Sequence, residues 1–167
     1  MELDEERTLA RIKGLKAEVV NPQITEYRGR LVKTTGDGLL ADFESAVDAL
    51  NCACEIQRIV GERNAALLSD DRLEFRIGIN VGEIIAEDGD IFGDSVNVAA
   101  RLEGLAEPGG ICLAAHVREY LVGRPEFIFE DLGEQFLKNI QRPIRVLRVR
   151  TDALPRSRTG TLRQHNW

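Results

Sequence analysis

Between residues 73 and 81 the chain alternates: Leu73, Phe75, Ile77, Ile79 and Val81 are apolar, with Glu74, Arg76, Gly78 and Asn80 between them. Successive side chains of a strand point to opposite faces, so a period of two predicts a strand with one face buried. Gly82 interrupts the run, and residues 83–86 continue or return as strand. Such a strand needs neighbours in a sheet and a second layer against its apolar face.

The flanking segments supply both. Upstream, Leu9, Ile12, Leu15 and Val19 recur at helical spacing. Asn21-Pro22 reads as an N-cap followed by proline at the first helical position, opening a short second helix to Tyr27 with Gly29 as its C-terminal cap. Residues 31–34 and 39–43 read as strands around the tight turn Gly36-Asp37-Gly38. Ser45 is set to cap a long helix with Val47, Leu50, Cys54, Ile56, Ile59 and Val60 on or near its inner face.

Downstream, Asp88-Gly89-Asp90 reads as a loop and residues 95–105 as a helix ended by Pro108-Gly109-Gly110. Residues 111–113 read as a short strand, 115–122 as a helix, and 127–132 and 144–149 as strands. His116 falls in the helical segment 115–122, where a surface or packing role is expected. From Thr151 the apolar pattern stops, so residues 1–150 are expected to form one domain and 151–167 a flexible tail or linker. The order of elements predicts an α+β fold.

Composition excludes several functions. A formal net charge of −6 argues against a broad nucleic-acid surface. No apolar run approaches the ~20 residues of a membrane helix, so no membrane segment is expected. The acidic start Met1-Glu2-Leu3-Asp4-Glu5-Glu6 is unlike a signal peptide. Cys52, Cys54 and Cys112 are an odd set without metal-ligand spacing, which predicts reduced thiols and a cytoplasmic location. Cys52 and Cys54 are two apart on a predicted helix and should point in different directions.

Two further segments carry the chemistry: Lys33-Thr34-Thr35-Gly36-Asp37-Gly38, and Asp90-Ile91-Phe92-Gly93-Asp94-Ser95-Val96-Asn97-Val98-Ala99-Ala100-Arg101. Taken singly, each polar residue has a plain reading: a solvated strand lysine, a turn aspartate, a capping asparagine, a surface arginine. Asn97 and Arg101 are four apart and share a helix face. Lys33 offers a hydrogen-bond donor and Asp90 an acceptor. Adenine presents an acceptor at N1 and a donor at N6, and guanine reverses both, so this pair complements adenine.

Together the two segments resemble those of class III nucleotidyl cyclases, over roughly residues 3 to 150. The resemblance implies a ferredoxin-like β-α-β-β-α-β plan. It implies that ATP is converted to 3′,5′-cyclic AMP and pyrophosphate. Lys33 and Asp90 would read the base, Asn97 would orient the ribose, and Arg101 would stabilise charge at the α-phosphate. Lys138, in Leu137-Lys138-Asn139, would reach the terminal phosphates. Asp37 would be a carboxylate of a site for two Mg²⁺ or Mn²⁺ ions, which favour hard oxygen ligands. Sites shared between subunits imply a head-to-tail homodimer.

In that family a strand with a second metal carboxylate precedes the first helix, and here the sequence opens at the helix. The expectation is an N-terminally truncated fold whose sheet lacks an internal strand, with weakened activity and stability. The alternative reading is a catalytically inactive cyclase-like module that dimerises or binds nucleotide to regulate a partner.

Overall fold

The computed structural model describes residues 2–35, 38–68, 71–82, 85–87 and 90–150. Helix α1 (Glu2–Leu15) runs through a π-helical turn (Lys16–Val20) into α2 (Asn21–Glu26). Asn21 has helical dihedrals, φ −62° and ψ −43°, so it does not cap a new helix as the sequence suggested. Its N–H bonds to the Lys16 carbonyl five residues back. This wider turn lets the helix pass Pro22, whose ring would crowd a regular turn and whose nitrogen has no proton to give.

The end of α2 also departs from expectation. Gly29 N–H donates to Ile24 O at 2.7 Å and Arg28 N–H to Thr25 O at 3.0 Å, the paired bonds of a Schellman ending. The left-handed residue is Arg28 (φ 63°), not Gly29. Gly29 is needed for a different reason: a Cβ there would collide with the Phe43 ring.

Strands β1 (Arg30–Thr35) and β2 (Gly38–Asp42) form an antiparallel hairpin with Thr35 opposite Gly38 and an irregularity between Leu31 and Lys33. Ser45 then caps α3 (Ala46–Ala65), its side chain accepting from Asp48 N–H at 3.2 Å. Ser45→Ala should therefore cost about 1 kcal/mol in chemical denaturation, with an unchanged slope. An unaltered midpoint would show that the cap carries no stability.

Helix α3 buries two faces where one was expected. Leu50, Ala53 and Cys54 join one core cluster, and Cys52, Ile56 and Val60 join another. The second cluster is completed by Val19, Val20, Ile24 and Tyr27 from the N-terminal helices. The two neighbouring cysteines therefore serve different half-cores, as their spacing requires.

The alternating run gives a shorter strand than its period suggested: only β3 (Ile77–Ile79) is laddered. Side chains meet the backbone needs of the residues before it. Asn64 both accepts from Leu73 N–H and donates to Leu73 O. The buried Gln57 amide donates to Phe75 O at 2.9 Å and to Gly110 O at 3.0 Å. Polar groups satisfied this way need no neighbouring strand.

A second hairpin, β4 (Ile85–Glu87) and β5 (Asp90–Phe92), leads into α4 (Asp94–Leu105). Strand β6 (Ile111–Ala114), a 3₁₀ helix (Ala115–Leu121), β7 (Phe129–Gln135) and β8 (Ile144–Val149) follow. The main sheet has the order β3-β6-β8-β7, with β3 and β6 parallel across the α4 crossover and the other pairs antiparallel. Ile111, Leu113, Val146 and Leu147 are fully buried at its centre, with Leu102 of α4 above them.

Helices and sheets are interleaved as an α+β fold requires. Among the described residues, however, the β1–β2 ladder does not join the main sheet. Strands β2 and β3 instead line a common cavity of about 940 Å³.

Candidate functional site

Lys33 lies on β1 opposite Leu40, and its side chain is exposed. Asn97 lies on the first turns of α4 and is also exposed. These two residues, 64 positions apart in sequence, line the same cavity. Their exposure places them at its mouth, above the buried Cys52, Ala53 and Ile56.

The start of α4 is built to present Asn97. Gly93 adopts φ 136°, a conformation that side-chain-bearing residues rarely take. Its carbonyl accepts from Val96 N–H at 3.1 Å and Asn97 N–H at 3.3 Å. Asp94 adds negative charge in the first turn, where the helix dipole favours it, and pairs with Arg142 at 2.9 Å. Against the body of the fold, α4 is seated on Gly78, where a Cβ would meet the backbone of Ala99 and Glu103.

Arg101 follows Asn97 by one turn and is half-buried. Its Nε donates to the Lys138 carbonyl at 3.0 Å. The turn that offers this carbonyl is pinned by Leu137 and Ile140, both buried, and passes through Asn139 with φ 64°. Ile140 N–H closes it on Leu137 O at 3.1 Å. The backbone of residue 138 thus orients the Arg101 fork, while the Lys138 side chain is exposed. Two of the expected site residues meet here through main chain.

Asp90 was expected in a loop. It instead opens β5, its Cα opposite that of Glu87. Asp37 lies outside the described residues. So does the expected tail, residues 151–167. His116 is exposed, with Nε2 2.8 Å from Val81 O, which suits the surface role expected of it.

Two residues near the site were not singled out from sequence. Asn80, just past β3, donates through Nδ2 to Ser95 O at 3.1 Å, while its Oδ1 is buried with no partner. Gln57 clamps the approach to β3 from the buried side of α3. Asn80 falls on the polar phase of the alternating run and Gln57 lies beside Arg58, so neither stands out from its neighbours in sequence.

Among the described residues no three His, Cys, Asp or Glu side chains are grouped to hold a metal ion. The three cysteines are free and buried. Burial, reinforced by nearby Glu55, pushes the thiols of Cys52 and Cys54 up to about 12. They stay protonated at neutral pH and are poor soft-metal ligands.

Residues 11–148 match the family model of the adenylate and guanylate cyclase catalytic domain. A Rhizobium meliloti (strain 1021) protein named “Putative adenylate cyclase 3” is 42% identical over 146 residues, covering 87% of this chain and 25% of that protein. A pH-sensitive adenylate cyclase of Mycobacterium tuberculosis (strain CDC 1551 / Oshkosh) is 31% identical over 154 residues, covering 90% of this chain and 35% of its own length. The chain thus spans a quarter to about a third of these curated relatives. The crystal structure of an adenylate/guanylate cyclase/hydrolase from Silicibacter pomeroyi superposes with a TM-score of 0.82 at 47% identity, covering 93% of this chain and 89% of that one.

Proposed function

The chain belongs to the adenylate and guanylate cyclase catalytic-domain family, and from that premise we propose that it forms cyclic AMP and pyrophosphate from ATP. One observation supports this reading most: Lys33 and Asn97 border one cavity, and Arg101 is held one turn further along α4. Residues distant in sequence but drawn to one face are what a nucleotide site needs.

In this reading Lys33 donates to adenine N1 and Asp90 accepts from N6. Asn97 holds the ribose, so that the 3′-oxygen lies in line with the α-phosphorus. Attack forms the new P–O bond as the bond to the α,β-bridging oxygen breaks. Pyrophosphate leaves, and the 3′ proton is released to solvent. Arg101 donates to the α-phosphate oxygens as charge builds there, and its guanidinium stays protonated at any working pH. The Lys138 ammonium draws on the terminal phosphates.

Asp37 suits Mg²⁺ or Mn²⁺, since a carboxylate joined by phosphate oxygens is a hard donor set. An ion bound there would neutralise triphosphate charge and make the 3′-hydroxyl easier to deprotonate. The proposed assembly is a homodimer in which one protomer supplies Asp37 and its partner the base, ribose and α-phosphate contacts.

The test is product formation from ATP and from GTP with Mn²⁺, alongside calorimetric nucleotide binding. Cyclic AMP formed in preference to cyclic GMP supports the reading. Binding without turnover would instead identify a nucleotide-binding regulatory module. The double variant Lys33→Glu with Asp90→Cys should erode the ATP preference by roughly tenfold or more, since both base contacts are changed. An unaltered ATP to GTP ratio in that variant would remove the base assignment.

A further inference from the structure

From Gly78 onward, the polar phase of the alternating run meets a helix. A Cβ at Gly78 would strike Ala99 O and Glu103 N, and one at Gly82 would strike the Ser95 side chain. Between these two glycines, the Asn80 amide donates to Ser95 O at 3.1 Å. On α4 the contacts fall at Ser95, Ala99 and Glu103, each four residues from the next, and so lie along one stripe. Alternate residues of an extended segment thus run along a single line of the helix.

The three contacts differ in kind. The glycines permit close approach, but dispersion contacts are not directional and leave a helix free to turn or slide slightly. Asn80 supplies the directional contact, and its target is the second residue of α4. A carbonyl only accepts, so it is the amide nitrogen that faces Ser95 O. Inside a helix the carbonyl of residue 95 has the N–H of residue 99 as its regular partner, so the amide is not needed to satisfy it. What the extra bond adds is orientation.

The segment that carries Asn80 is itself held. His116 Nε2 lies 2.8 Å from Val81 O, and because that carbonyl only accepts, Nε2 is the donor. His116 belongs to the 3₁₀ helix that follows β6, the parallel partner of β3. The exit of β3 is therefore tied to the sheet side through Val81 and to α4 through Asn80. Asn97 comes two residues after Ser95, about 200° around the helix from the seat, so a turn of α4 about its axis displaces it. Arg101 is held separately, by the Lys138 carbonyl.

We propose that Asn80 is a positioning residue of the nucleotide site: through Ser95 O it sets the rotation of the first turns of α4, and with it the placement of Asn97 against the ribose. What Asn97 holds rests on the cyclase reading given above; that Asn80 orients α4 does not.

The test uses the 167-residue chain carrying Asn80→Ala or Asn80→Asp. The second change keeps the side-chain shape but sets an acceptor, in place of a donor, against Ser95 O. Without nucleotide, amide exchange at Val96 and Asn97 should quicken about fivefold in either variant, as for the loss of one hydrogen bond, while β6 and β8 stay unchanged. With ATP and Mn²⁺, kcat should fall about tenfold, a partial misplacement where ~1 Å costs about 10²-fold. Asn80→Asp should lose at least as much as Asn80→Ala; a residue that merely fills space would show the reverse order. In an Asn97→Ala background the same changes should cost less than about twofold, because Asn80 acts through Asn97. Unchanged exchange at Val96 and Asn97 would overturn the proposal whatever the substrate. So would full additivity with Asn97→Ala, or a milder effect of Asn80→Asp than of Asn80→Ala. Asn80→Asp alone carries the exchange test where Asn80→Ala fails to fold. If exchange quickens but the wild-type chain forms no cyclic nucleotide, Asn80 stands as the anchor of α4 and the cyclase reading alone falls.

Discussion

Arg101→Ala should lower turnover of ATP by roughly 10² to 10³-fold, the usual effect of removing one preorganised donor to transition-state charge. The loss should fall on kcat, with KM changed little, because the contact strengthens only as charge builds at the α-phosphate. Stability should change by less, since the side chain is half-buried and its described bond is a single one, to the Lys138 carbonyl. A matched fall in kcat and thermal stability would instead point to a structural arginine. The same variant tests the shared site. Mixed with Asp37→Ala protein, half of randomly paired dimers are heterodimers, and each heterodimer keeps one intact site of two. Up to about one quarter of wild-type activity should therefore return. Inactivity of the mixture, despite demonstrated subunit exchange, would count against an active site divided between protomers.

Much of this arrangement could be read from local rules. The cap at Ser45, the strand over 144–149, the helix carrying Asn97 and Arg101 and the hairpin before α3 all follow from short-range patterns. What escaped the reading depends on partners far away in sequence. The strand expected over 73–81 is cut short because Asn64 and Gln57, both on α3, satisfy the backbone before Ile77. No period in the segment itself reports that. Likewise Asn21 and Pro22 form a good capping signal, yet the chain passes them within a π turn whose register is set by packing of Val19, Val20 and Ile24 against α3. The second face of α3 was missed for a related reason: a helix between two half-cores has no single polar side for periodicity to reveal.

The candidate site divides in the same way. Residue types and their order identified Lys33, Asp90, Asn97, Arg101 and Lys138 from the resemblance, and the fold then placed Lys33 beside the cavity that Asn97 borders. The main-chain link from Lys138 to Arg101 could not be anticipated, since a carbonyl carries no sequence signature. Asp37 and the side chain of Asp90 lie outside the described residues, so their roles rest on the resemblance and on the variants proposed above.

Gly78→Ala should damage both stability and turnover, through one contact. A Cβ at residue 78 would collide with Ala99 O and Glu103 N, which are backbone atoms of α4 and cannot rotate away. Overpacking of this kind typically costs about 1–3 kcal/mol, because helix or strand must shift as a body. The shift matters more for function than for folding. Helix α4 carries Asn97 and Arg101, and displacing it alters the reach of Arg101 to the Lys138 carbonyl. A misplacement of ~1 Å at reacting groups can cost about 10²-fold in rate. Gly104→Ala supplies the contrast: it lies on the same helix, and a Cβ there meets nothing within 4 Å. It should leave turnover unchanged and stabilise by up to about 1 kcal/mol, as alanine does in place of an exposed helical glycine. Denaturation midpoints and kcat measured on both variants separate the two effects. If Gly78→Ala matches the wild type in both, α4 is not seated on β3 as closely as described, and the positions assigned to Asn97 and Arg101 fall with it.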